Sequence, residues 1–143
     1  MKKSVLTIES NRALQYLVAT VLKTRYSVSS VQNSRHAMQL FSSGYEAALI
    51  IIDVPNRDSE SFELLDHIVT SSVFKDVPII VLSASRDEEL KSSCLQIGAA
   101  DFLTKPFDPV YLFERVDQIL SQNIPDIIPK RRKIFNNMNI FLG

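Results

Sequence analysis

Five polar side chains stand where short apolar runs of the chain end. Glu9 and Ser10 follow SVLTI (4–8), Asp53 follows AALIII (47–52), Ser83 follows VPIIVL (77–82), and Lys105 with Pro106 lies just past DFL (101–103). A charge at the end of an apolar run is costly unless it is paired, hydrogen-bonded or bound to a metal. If the fold gathers these groups, two arrangements use them. In a phosphoryl-transfer site, Asp53 is the nucleophile, Glu9 contributes to a Mg²⁺ site, and Ser83 and Lys105 hold phosphoryl oxygens. In a structural site, Asp53 is a helix cap or loop carboxylate and Lys105 is its ion-pair partner. Residue types and spacing leave both open.

The elements that must position these residues alternate along the chain. SVLTI (4–8) is short and β-rich, and Leu14, Leu17, Val18, Val21 and Leu22 then recur at helical spacing over about 11–24. YSVSSV (26–31) precedes a helix over 34–43 with Ala37, Leu40 and Phe41 on one side, closed by Gly44. AALIII precedes a helix over 60–72 carrying Phe62, Leu65, Ile68 and Val69. VPIIVL precedes a helix over 87–97 carrying Leu90, Cys94 and Ile97 and closed by Gly98. DFL precedes a helix with Asp108 as N-cap and Pro109 as first residue, where the missing proline N–H is no loss. Leu49–Ile52 and Ile79–Leu82 show no polar alternation, so both faces of those strands must be covered. Five strand–helix units of that kind predict an α/β three-layer sandwich, a five-stranded parallel sheet with helices on both faces. Ligands of such sheets gather at the carboxyl ends of the strands, where the winding direction reverses, and the polar residues fall at that rim.

Composition agrees with one ordinary globular domain. The chain has 143 residues, 45% apolar and 22% charged, enough for a single core without disulfide or metal staples. Its one cysteine, Cys94, cannot form an internal disulfide, and MKKSVLTIES is too short an apolar stretch for a signal peptide or a membrane span, so a cytoplasmic location is expected. The net charge of zero divides unevenly: residues 1–122 hold 12 Lys and Arg against 15 Asp and Glu, and residues 123–143 hold 4 against 1. An acidic body with a basic tail argues against direct nucleic-acid binding.

Taken in order, an acidic residue after the first strand, Asp after the third, Ser-Ala after the fourth and Lys-Pro-Phe after the fifth resemble the receiver domain of bacterial two-component response regulators. The similarity covers about 3–121 and is densest in GAADFLTKPFDPVYLFERV (98–116), with SFELLDHI (61–68) at the usual distance past Asp53. The resemblance implies a flavodoxin-like fold with strand order 2-1-3-4-5, a receiver domain over 1–122, and a phosphoryl group taken onto Asp53 from a sensor histidine kinase or phosphotransfer protein. It implies that Ser83 hydrogen-bonds the phosphoryl group and that Lys105 pairs with Asp53 before transfer and with a phosphoryl oxygen afterwards. It further implies that Phe102 is the aromatic that moves inward with Ser83, and that the Lys105–Pro106 bond is cis. Receivers catalyse only their own phosphorylation and dephosphorylation. Many bind partners or dimerise through the face made by the fourth helix, fifth strand and fifth helix, which implies a homodimer of that kind here.

The pattern is broken in two places. The family has two acids after the first strand; here TIESN supplies Glu9 and then Ser10, a neutral hydroxyl. Mg²⁺ prefers carboxylate oxygens, so weak metal binding is expected, through Glu9, Asp53 and the backbone carbonyl of Pro55, with Ser10 a poor fourth. After Asp53, the family's proline and glycine positions hold Arg57 and Ser61, and Pro55 stands where a polar side chain often tunes dephosphorylation. These departures define a second reading, a degenerate receiver acting as a phosphorylation-independent interaction module.

The remaining candidates read as structural. His36 and His67 lack a second ligand at metal spacing and are expected at helix surfaces, Cys94 in the core, and the acids of SRDEELK (85–91) at a solvated helix start. Residues 123–143 read as a linker or tail, with Pro125 and Pro129 ahead of the basic run Lys130–Lys133 and an apolar stretch through Leu142, the start of a further output element or a membrane-proximal segment.

Overall fold

The computed structural model describes residues 1–74 and 76–121. The expected linker and basic run of 123–143 lie outside them. Five strands, β1 (Ser4–Ile8), β2 (Ser27–Val31), β3 (Leu49–Asp53), β4 (Ile79–Ser83) and β5 (Asp101–Thr104), alternate with five helices, α1 (Arg12–Leu22), α2 (Ser34–Ser42), α3 (Glu60–Thr70), α4 (Glu88–Ile97) and α5 (Pro109–Ser121). The sheet is parallel throughout, in the order β2-β1-β3-β4-β5. This is the three-layer α/β sandwich that the apolar runs required.

Alternation along each strand feeds two cores. Leu6, Ile8, Ile50, Ile52, Ile79, Val81 and Phe102 pack with residues of α2, α3 and α4 on one face. Val5, Leu49, Ile51, Ile80, Leu82 and Leu103 pack with Val18 and Leu22 of α1 and Leu112, Val116 and Ile119 of α5 on the other. Every residue of β4 is buried, as is every residue of β3 except Asp53 at its end. Both faces of these strands are covered, which is why neither carries a polar stripe.

Local chemistry sets the helix ends. The side chains of Asn11, Asn33, Ser59 and Asp87 accept from the N–H groups of Leu14, His36, Phe62 and Glu89, and Asp108 accepts from Val110. Gly44 (φ 94°) and Gly98 (φ 127°) close α2 and α4 in the left-handed region that side chains disfavour. The helices are shorter than their apolar periodicity suggests because capping residues such as Asn11 stand outside them. The strands, conversely, run on to include Asp53 and Ser83.

Register carries the polar residues to one rim. Ile8 pairs with Ile52, so Glu9 and Asp53, the next residues, emerge side by side at the carboxyl end of the sheet. Ser83 pairs with Thr104, one residue before Lys105. The order β2-β1-β3 places the reversal of winding between β1 and β3, between the two carboxylates.

The central strands should dominate stability. Ile80→Ala, at a fully buried position, is expected to lower unfolding free energy by ~2–5 kcal/mol. Tyr16→Ala, at a side chain 73% exposed, should stay within ~0.5 kcal/mol of the parent in urea denaturation.

Candidate functional site

Three strand ends meet at one ammonium. Lys105 Nζ lies 2.8 Å from Glu9 Oε1 and 2.9 Å from Asp53 Oδ1. The other Glu9 oxygen, Oε2, accepts from the Asn11 N–H at 3.0 Å, so both oxygens of this buried carboxylate are engaged. Asp53 is the more open of the two acids, its side chain 21% exposed against 6% for Glu9. One cation thus bridges two carboxylates, and the more accessible one faces solvent.

Burial pushes the Asp53 carboxyl above the ordinary aspartate range, and the Glu9 charge pushes it the same way; the hydrogen bond and charge of Lys105 pull it back without cancelling the rise. Burial works to lower the Lys105 ammonium, but its hydrogen bonds to Glu9 and Asp53 and their charges outweigh that, and the net displacement is upward. Lys105 is therefore a fixed positive charge, and Asp53 is a carboxylate held in a poorly solvated place.

Ser83 is fully buried beside this group, and the backbone joins the two: the Lys105 N–H donates to the Ser83 carbonyl at 2.7 Å. The Ser83 hydroxyl oxygen accepts from the Ser85 N–H at 3.1 Å, so its own proton is free to point elsewhere. Phe102 is 7% exposed and packed into the core on the α2–α4 face. The Lys105–Pro106 peptide bond is cis.

A pocket of about 280 Å³ opens next to Asp53, lined by Ile8, Ser10, Gln32, Asn33, Ser34, Pro55, Glu60 and Ser61. Ser10 and Pro55 are both exposed at its edge. Among the described residues no group of three or more His, Cys, Asp and Glu side chains could hold a metal ion. Asp53, Glu9, the Pro55 carbonyl and the Ser10 hydroxyl are the donors within the site. They suit a hard cation that keeps much of its water, since Mg²⁺ is commonly held by only one or two carboxylates.

Sequence spacing singled out Glu9, Asp53, Ser83 and Lys105, and the fold brings them together. It missed Asn11, the cap of α1, and Gln15, in the first turn of that helix, which hold Glu9; the only local signal was an asparagine placed to cap α1. His67 is exposed and His36 half-buried. Cys94 is buried in the core, its thiol pushed up to about 11 by burial. No helix among the described residues is long and apolar enough to cross a membrane.

Known proteins share both sequence and fold. A family model described as the response regulator receiver domain matches residues 5–117. A two-component response regulator of rice, ORR11 of Oryza sativa subsp. indica, is 31% identical over 116 residues, which cover 78% of this chain and 79% of that protein. The transcriptional regulatory protein GltR of Pseudomonas aeruginosa is 33% identical over 119 residues, covering 82% of this chain and 49% of its own length. The solved structure of a response regulator from Thermotoga maritima superimposes with a TM-score of 0.75 at 30% identity, covering 85% of this chain and all of that one. Similar proteins come from a plant as well as from bacteria, so the likeness does not confine the chain to a bacterial origin.

The raised Asp53 carboxyl gives a signed prediction. A group that binds its proton more tightly in the folded state opposes folding once it ionises: the penalty is absent below the ordinary aspartate pKa and complete above the raised one. In paired urea titrations, Asp53→Asn should therefore gain stability relative to the parent as pH rises from acid to neutral. A relative loss over that window would mean that the Lys105 pair outweighs desolvation.

Proposed function

The chain belongs to the response regulator receiver domain family, and we propose that it acts as a phosphoacceptor through Asp53. The observation that carries this reading is Lys105 bridging Glu9 and Asp53 at 2.8 and 2.9 Å beside the buried Ser83 hydroxyl. A carboxylate that opens onto a pocket, with a cation paired to it and a buried hydroxyl beside that cation, suits a group that arrives with three charged oxygens.

In this reading an Asp53 carboxylate oxygen attacks the phosphorus of a phosphohistidine. The new P–O bond forms as the P–N bond breaks, and the departing imidazole takes a proton from water. The aspartate is poorly solvated, which keeps it basic enough to attack. Lys105, already charged, shifts from sharing Asp53 to contacting a phosphoryl oxygen, and the free proton of Ser83 turns to another. Phe102 fills the core behind Ser83 as the switch aromatic. Asp53, the Pro55 carbonyl, Ser10 and, through water, Glu9 would hold Mg²⁺, which when bound neutralises charge on the transferring group.

The donor is a histidine kinase or phosphotransfer protein, and the receiver spans residues 1–122, with the tail beyond it. The acidic balance of 1–122 favours protein partners over direct contact with nucleic acid, in a cytoplasmic setting. A second copy could seat on the face of α4, β5 and α5, where Val110 and Tyr111 are exposed and Arg115 pairs with Asp101 at 2.6 Å. Ser10 favours a second reading, a receiver that keeps the fold but does not switch by phosphorylation. Full engagement of both Glu9 oxygens points the same way, because it leaves Asp53 as the more open of the two strand-end carboxylates.

Incubation with acetyl phosphate and Mg²⁺ should add one phosphoryl group by intact mass, and Asp53→Asn should remove the gain; no gain at tens of millimolar Mg²⁺ would favour the second reading. Ser10→Asp restores a charge to the metal shell. It should tighten Mg²⁺ binding about tenfold, in keeping with the ~1–4 kcal/mol of a close charge pair between bulk water and a protein surface. Pro55 can neither donate a hydrogen bond nor orient water, so the phosphoryl group should be lost slowly. A lifetime of seconds in a decay assay would overturn that expectation.

A further inference from the structure

Glu9 shares the ammonium of Lys105 with Asp53, yet it sits on the short loop between β1 and α1 rather than within a strand. Its backbone is held by a side chain that the phosphoacceptor chemistry does not use. Gln15 lies in the first turn of α1, where its N–H donates to the Asn11 carbonyl at 3.0 Å. Its side-chain Nε2 donates to the Glu9 carbonyl and, at 3.3 Å, to the Val31 carbonyl. Those carbonyls mark the points where β1 and β2 run out of ladder, and Val31 already accepts from the Glu9 N–H at 3.0 Å. With two acceptors facing it, the amide must present its NH₂ group; its oxygen would meet carbonyl oxygen.

We infer that Gln15 is a positioning residue of the phosphoacceptor site. By tying the ends of β1 and β2 to α1 it fixes the Glu9 backbone, so that the Glu9 carboxylate stays between the Asn11 N–H and Lys105, and Lys105 stays shared between Glu9 and Asp53. The inference rests on Asp53 being the phosphoacceptor. Without the two donated hydrogen bonds, Glu9 is free to rotate outward, and Lys105 settles on Asp53 alone. A nucleophile that holds the whole cation is less available to attack, and the cation is less ready to move to the incoming phosphoryl group.

Three substitutions separate donation from packing. Gln15→Leu keeps the bulk and removes both donors; Gln15→Glu keeps the shape but when ionised only accepts; Gln15→Lys keeps a donor at similar reach. The first readout is the ¹⁵Nζ NMR signal of Lys105, which an ammonium held between two carboxylates is expected to give through slowed proton exchange. The Leu and Glu variants should lose or broaden it, and the Lys variant should keep it, with all three folded by urea denaturation. Phosphorylation by acetyl phosphate should fall roughly tenfold or more in the Leu and Glu variants, the order expected when a reacting group is slightly misplaced. In a Glu9→Gln background, Gln15→Leu should add little, because two residues acting through one contact are not additive. An unchanged Lys105 signal in folded Gln15→Leu, or full additivity with Glu9→Gln, overturns the inference. If the parent takes up no phosphoryl group, the phosphoacceptor reading fails, while the ammonium signal still decides what Gln15 does.

Discussion

One ammonium between two carboxylates organises the carboxyl rim of this sheet. Glu9 and Asp53 emerge on neighbouring parallel strands, and two like charges in a poorly solvated place repel unless a cation divides itself between them. Lys105 meets that need from the far side of the sheet, two strands away from Asp53, with β4 between. Its reach depends on a register that keeps the strand ends level, on covered faces that keep water from the strands, and on the Ser83 carbonyl holding the Lys105 backbone. The pair geometry is therefore a property of the whole sheet.

The departure at Ser10 takes its meaning from that arrangement. In a site with a second free acid, a cation could be held without disturbing the Lys105 bridge. Here the Glu9 oxygens are committed to Lys105 and Asn11, and a hydroxyl stands where a charge would have helped. If Asp53 is the phosphoacceptor, the groups that hold its partner Glu9 are thus also ones a metal would draw on. The negative charge at this rim is balanced within the protein by Lys105.

Much of the fold could be read from the chain because its causes are local. Runs such as Ile79–Leu82, without polar alternation, can only be strands covered on both faces, and Gly44, Gly98, Asp108 and Pro109 mark helix ends by backbone geometry that few other residues share. The polar rim was legible for a related reason, since each polar residue directly follows an apolar run. What stayed hidden depends on three-dimensional neighbours. Nothing in the chain says that Lys105 takes Glu9 as well as Asp53, that the Ser83 oxygen accepts from the Ser85 N–H, or that Gln15 closes two strand ends, because each partner is fixed only by packing. Helix ends were misjudged by a residue or two where capping side chains continue the pattern without joining the helix.

Glu9 and Lys105 are 96 residues apart in the chain, and β3 and β4 lie between the strands that they follow. Contacts of that span are entropically expensive to close and come late when a parallel sheet assembles. The carboxylate–ammonium cluster is therefore expected to close late in folding. A partly folded copy, with β5 not yet docked, has Glu9 and Asp53 without the ammonium between them; if Asp53 is the phosphoacceptor, competence to signal then waits on the docking of β5.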